Sequence, residues 1–432
     1  MTTIHSGRRA FLRLAAGAGA LGLGGLIGGC GVLQPAAPTA TPVTETTITI
    51  WNWIDEALGG LMQGFEQANP SIKVNAERAS YDQAHGRLIS ALSSGSGAPD
   101  VFITDLSWLG TLRVQPGLAD LGGPPFDGAQ LRGDFLPWAW DQVAFEGKLV
   151  AMPWNLGVGT AWYRADVLEA AGLPADPAAV HEQAPGWDGW SALDQALKRK
   201  SPKSGLIVES LRLFPVAVAQ QGHGWVDRGR LLVEQKGVPA AQLLASLRER
   251  DIPGELASGQ YARMMIDGSY AGMVDASWMQ FFLEQDFKKT AGMWRLARAP
   301  GGDFVSNALF LLIPQQSRKQ EAAWSLVRYL CASAEGTNTA FKATGALPAY
   351  TPAWNDPFYD RPVEFFGGQA AYRLLADATS ALLPSTPSPY DQQIDRIVYP
   401  AAREVANSDK DPAQAMADAA AAVRKQIPEL AG

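Results

Sequence analysis

The sequence predicts an α/β protein built on a mostly parallel sheet flanked by helices. Three observations predict it: segments of period two and period 3.6 alternate from Thr47 to Asp105, 47% of the residues are apolar against 18% charged, and 432 residues leave room for two core-bearing domains. The same composition excludes collagen, coiled coil and wholesale disorder. With 36 Lys and Arg against 43 Asp and Glu, the formal charge is −7, whereas a nucleic-acid partner would want a basic face. Two cysteines, Cys30 and Cys331, and four histidines, His5, His85, His181 and His223, are too few for a structural zinc site or a disulfide framework. Cofactor and metal are therefore expected to be absent. The 14 tryptophans are the one excess that asks for an explanation.

The chain opens on an address. Arg8 and Arg9 precede an apolar Gly, Ala and Leu run without acids that ends at Cys30, the pattern of a signal peptide. The uncharged stretch from Leu14 to Gly29 is shorter than the roughly 20 residues a spanning helix needs. IGGC, Ile27 to Cys30, resembles a bacterial lipobox, which implies cleavage before Cys30 and diacylglycerol on its sulfur. The twin arginine with Phe11 and Leu12 resembles the signal for export of folded proteins; Gly7 stands where that pattern prefers Ser or Thr, which leaves the general secretory route open. Residues 1–29 thus read as the signal peptide and 30–47 as lipidated cysteine plus a Pro, Thr and Ala-rich tether, reaching on the order of 50 Å at about 3.1 Å per residue.

After the tether, TITIWNW alternates β-branched residues and ends in aromatics. Leu58, Leu61, Met62 and Phe65 then recur at helical spacing until Asn69 and Pro70 stop the helix. SIKVNAE reads as a second strand, about Asp82 to Ser94 as a second helix, and PDVFITD as a short buried strand. That order implies right-handed crossovers and parallel pairing. Further along, Cys331 shares a helical face with Ala323, Leu326, Val327 and Leu330 and reads as core, and Asp411 before Pro412 reads as a helix cap.

Ligands of open parallel sheets bind beyond the carboxyl ends of the strands. Trp51, Asn52 and Trp53 follow the first strand, Ser80 and Tyr81 the second, Asp105 and Trp108 the third. Aromatic faces beside carboxylates and amides suit carbohydrates, because a pyranose has an apolar C–H face to stack and a rim of hydroxyls to hydrogen-bond. No basic cluster accompanies them, which argues against a phosphate or carboxylate ligand.

These segments, with FEQANPSIKV, SGSGAPDVFITD, GLADL, GKLVAMPWNLGVGTAWYRADVLEAAGL, GWDGWSAL, MMIDGSYAGMVDASW, AAWSLVRYLCASAEG and TGALPAY, resemble the family 1 extracellular solute-binding proteins, the maltose-binding-protein-like receptors of bacterial ABC importers. The resemblance spans nearly the whole mature chain. It implies a two-lobe, type II periplasmic-binding-protein-like fold with several hinge crossings, lobe one over 48–154 plus 306–357 and lobe two over 158–303 plus 366–432. It also implies a sugar held between the lobes, permease subunits as partners, a membrane reached through the lipid on Cys30, a monomer, and no catalysis. Carried over by position, Trp51, Asn52, Asp105, Trp154 and Trp278 become the clearest ligand-binding residues; Tyr81, Trp108, Trp162, Trp225, Asn307 and Tyr390 carry over more loosely, and His223 reads as ligand contact or solvated loop. Gly157 and Gly159 at the first crossing either absorb backbone rotation or relieve crowding.

The chain has no G-x-S-x-G elbow, HExxH, Walker loop or CxxC. Two rivals stay open at this level. A secreted carbohydrate-active enzyme would need a second acid facing Asp105, with Asp275 a candidate. A receptor for a non-sugar solute such as a polyol phosphate would need Arg or Lys at the strand ends, and the nearest, Arg113 and Arg164, lie away from them.

Overall fold

A computed structural model describes residues 45–54, 57–222, 224–247, 258–383 and 387–430. The leader, with Arg8, Arg9 and Cys30, and His223 lie outside the described residues. Strand β1 (Thr46–Asn52), helix α1 (Ala57–Ala68), strand β2 (Ile72–Arg78), helix α2 (Tyr81–Ser94) and strand β3 (Val101–Asp105) follow the predicted alternation, and helix α3 (Leu106–Arg113) extends it. Leu58, Leu61, Met62 and Phe65 form the buried stripe of α1, and Gly95 closes α2 in the left-handed conformation at φ 73°, which a glycine adopts without steric cost. Beyond come the long strand β4 (Met152–Arg164), helices α4 (Leu213–Ala219) and α5 (Val233–Leu247), strand β5 (Gly272–Ala276), helix α6 (Met279–Asp286), and strands β6 (Trp294–Arg298) and β7 (Val305–Leu312). Helices α7 (Gln320–Ala332) and α8 (Ala334–Thr344), strand β8 (Leu347–Pro348), and helices α9 (Asp391–Asn407) and α10 (Pro412–Gln426) complete the elements used below.

Among the described residues, the strands pair in parallel at β2–β1–β3, and Gly205 and Tyr270 form one isolated parallel bridge. The strands arriving from later in the chain enter reversed: β7 runs antiparallel to β3 and β4, and β5, β6 and β8 run antiparallel to β4. Strand β4 is the splice. Its first half, to Val158, pairs with β7 and β8, and its second half, from Gly159, pairs with β5 and β6. All 13 of its residues are buried, as expected of a strand covered on both faces.

Crowding, not backbone freedom, accounts for the two glycines there. A Cβ on Gly157 would stand 2.5 Å from Cη2 of Trp278, and one on Gly159 would stand 2.5 Å from Cδ1 of Phe304. Neither is among the glycines with positive φ. One apolar core packs against the β1–β3 sheet, with Cys331 inside it, and burial pushes that thiol up. A second core underlies the second half of β4, and a third joins α4, α5, α9 and α10. Asp411 caps α10, accepting from Gln414 N at 2.8 Å.

Candidate functional site

Asp105 ends β3 and caps α3, accepting from Trp108 N at 3.2 Å. Its other oxygen accepts from the Tyr81 hydroxyl at 2.8 Å and from Asn307 Nδ2 at 3.0 Å. Asn307 in turn accepts from Leu106 N at 3.2 Å and Ala308 N at 2.9 Å through Oδ1, so α2, α3 and β7 are tied at one carboxylate. Burial raises the Asp105 carboxyl above its ordinary value against the pull of these donors, and burial with the nearby Asp105 charge raises the Tyr81 phenol. Around this centre Trp53 meets Tyr81 edge-on at 5.3 Å, and Trp108 lies flat on His85 at 4.8 Å and 10°. His85 is held by Tyr81 O at 2.8 Å from Nδ1, and burial lowers it to about 4, so it is neutral near pH 7. The half-buried Trp108 has an indole N–H with no partner among the described residues.

A second wall comes from far along the chain. Trp225 donates from Nε1 to Asp395 at 2.6 Å and from its backbone N to Asp391 at 2.9 Å. Burial pushes Asp395 up to about 7, with the charges of Asp391 and Asp105 adding to the rise. Tyr399, two turns along α9 from Asp391, is 37% exposed, yet burial and then Asp395 raise its phenol.

A third group lies near the end of β5. Trp278, half-buried, is seated over Gly157. Arg212 pairs with Glu209 at 3.1 Å and reaches Asp275 at 3.7 Å, its side chain 56% exposed; Tyr270 donates to Glu209 at 3.0 Å. Among the described residues no group of three or more His, Cys, Asp or Glu side chains is placed to hold a metal ion.

A family model described as bacterial extracellular solute-binding protein matches residues 60–367. The chain is an extracellular solute-binding protein. The arabinooligosaccharide-binding protein of Halalkalibacterium halodurans is 24% identical over 328 residues, 71% of each chain. The lactose-binding protein of Rhizobium radiobacter is 23% identical over 352 residues, 76% of this chain and 81% of the relative. The structure of the sugar-binding protein MalE from Xanthomonas citri aligns with TM-score 0.72 at 21% identity over 89% of this chain and 98% of that one, giving the two-lobe fold.

In this solute-binding protein Tyr81, Asp105, Trp108 and Asn307 come together as one constellation, and Trp278 lies apart from it over Gly157. Several other expected ligand residues are placed differently. Trp154 and Trp162 are 1% and 0% exposed, sealed in strand β4, and the Trp162 indole already donates to Asp275 O at 3.1 Å; both are core, because a strand buried on two faces points every side chain into packing. Trp51 is buried with the Arg87 guanidinium over its ring at 4.0 Å, so its face is taken. Asn52, 2% exposed, spends its amide on Glu77 O at 3.3 Å and on Ile54 N at 3.0 Å, shaping the loop after β1. Trp225 is 3% exposed and acts through Asp395. Tyr390 is half-buried, starts α9 and packs on the helical core.

Sequence reading missed Asp395, Tyr399, Arg212 and His85. For the first two a signal existed: Asp391, Asp395 and Tyr399 recur every four residues, a polar stripe beside the buried Ile394 and Val398. Arg212 left none, since nothing in its neighbourhood announces a cleft.

Proposed function

We propose that this protein captures a carbohydrate in the cleft between its lobes and presents it to the permease subunits of an ABC importer, acting as a monomer held to the outer face of the cytoplasmic membrane by a lipid on Cys30. The lobes divide as 48–154 plus 306–357 and 158–303 plus 366–432, with the first crossing between Trp154 and Val158. The family match carries the reading; on it, Tyr81, Asp105 and Trp108, joined at one carboxylate, form one wall, and Trp225, Asp395 and Tyr399 form the other. The relatives named for arabinooligosaccharide and lactose support a sugar as solute. Trp278 supplies the stacking floor, and Arg212 and Asp275 supply hydroxyl partners.

Closure is a population shift, in which a solute touching both walls binds the closed form better than the open one. Thermal unfolding with a panel of mono- and oligosaccharides tests it. A solute at 100 times its dissociation constant adds about 2.7 kcal/mol of stability, and the same sugar should compact the protein in small-angle scattering. A panel in which no sugar moves the midpoint sinks the reading. Asp105 is 1% exposed with three protein donors on it, a poor arrangement for an acid that must reach a glycosidic oxygen. Binding of a chromogenic glycoside without its hydrolysis separates receptor from enzyme.

A further inference from the structure

Helix α3 and the segment leading into α9 meet main chain to main chain. A Cβ on Gly110 would stand 2.5 Å from the carbonyl carbon of Ser388 and 2.9 Å from its nitrogen. Those atoms are backbone, so no rotamer change relieves the clash; the two segments would have to part. On either side of the glycine, Thr111 donates from Oγ1 to Pro389 O at 3.1 Å, and Arg113 donates from Nη2 to Pro387 O. Three neighbouring positions of one helix thus grip three consecutive residues of a strip through its own main chain.

Both partners are held rigidly. Helix α3 is pinned at its start by Asp105. The strip is pinned by Asp391, which accepts from Ser388 N at 2.7 Å and from Trp225 N at 2.9 Å. Helix α3 follows β3, in the sheet of the first lobe, whereas α9 packs with α4, α5 and α10 in the helical core of the second. The contact therefore joins lobe to lobe, one turn along α3 from the carboxylate that caps it.

We propose that Gly110 sets how near the two lobes can approach, with Thr111 and Arg113 latching the closed arrangement onto the Pro387–Pro389 main chain. Any side chain at 110 acts as a wedge. The inference rests on the two-lobe fold and not on which solute is carried, so an empty sugar screen leaves it standing.

The test is small-angle scattering of the purified chain without added solute, on the wild type, G110A, R113Q and G86A. A Cβ at Gly86, also in a helix, meets nothing within 4 Å, so G86A controls for the glycine-to-alanine change itself. The expected result is a radius of gyration shifted upward in G110A, shifted in the same direction but less in R113Q, and equal to wild type in G86A, with unchanged circular dichroism throughout. With any sugar that compacts the wild type, G110A should lose the compaction. Scattering from G110A that superimposes on wild type overturns the proposal. If G110A does not fold, R113Q decides: a wild-type radius there overturns it equally.

Discussion

Asp105 is wired to its own protein before any solute arrives. Replacing it with alanine strands the Tyr81 hydroxyl, the Asn307 amide and the Trp108 N–H, all in a buried setting. Unmet buried donors cost about 1–3 kcal/mol each, partly recovered by water, so D105A should lower unfolding stability by about 2–4 kcal/mol in chemical denaturation as well as weaken solute capture. A variant as stable as wild type would mean that the carboxylate is spare. Across the cleft, Asp395 titrates at about 7 in the folded chain against an ordinary value of 3.8, through burial first and then the charges of Asp391 and Asp105. The folded state therefore holds a proton that the unfolded state releases between those values, and this group makes stability fall as pH rises from about 4 to about 7. Tyr399 faces it, with Lys236 and Arg113 acting on the neighbouring Asp391. D395N keeps an acceptor for the Trp225 indole and removes the titration, so its stability relative to wild type should grow between about pH 5 and 8, by roughly 2–3 kcal/mol. Parallel pH curves for the two proteins would refute the assignment.

Strand β4 shows how an element disciplines the residues inside it. Its period-two alternation is invisible because every position is buried, so a tryptophan in MPWNLGVGTAWYR looks the same whether it serves a solute or a core. Trp154 and Trp162, expected at the ligand, are packed inside that strand, whereas Asp105, 1% exposed, ends its strand at a helix start. The β1 to β3 alternation was legible, the second helix starting at Tyr81 where about Asp82 was expected, because apolar stripes are local. The place of Asp395 and Tyr399 was not, since it is set by packing of α9 against three other helices. The glycines of β4 carry their own prediction. G157A pushes a methyl into the Trp278 ring and should cost about 1–3 kcal/mol by overpacking, with a shift in tryptophan emission and weaker sugar binding. Emission and affinity both matching wild type would show that the ring is free to move.

At the scale of the whole molecule, the net charge of −7 gives the protein no electrostatic pull toward anionic lipid, and no helix among the described residues is long and apolar enough to cross a membrane. Attachment would then depend on the acyl chains alone, each buried methylene contributing about 0.8 kcal/mol. Changing Cys30 to Ser should shift the protein from the membrane fraction to the soluble one, while persistence in the membrane would require another anchor. The shared strand has a calorimetric consequence. Because β4 belongs to the hydrogen-bonded ladders of both halves, neither half can melt and leave the other's sheet intact, so heating should give one endotherm in place of two. The protein then comes apart as one body.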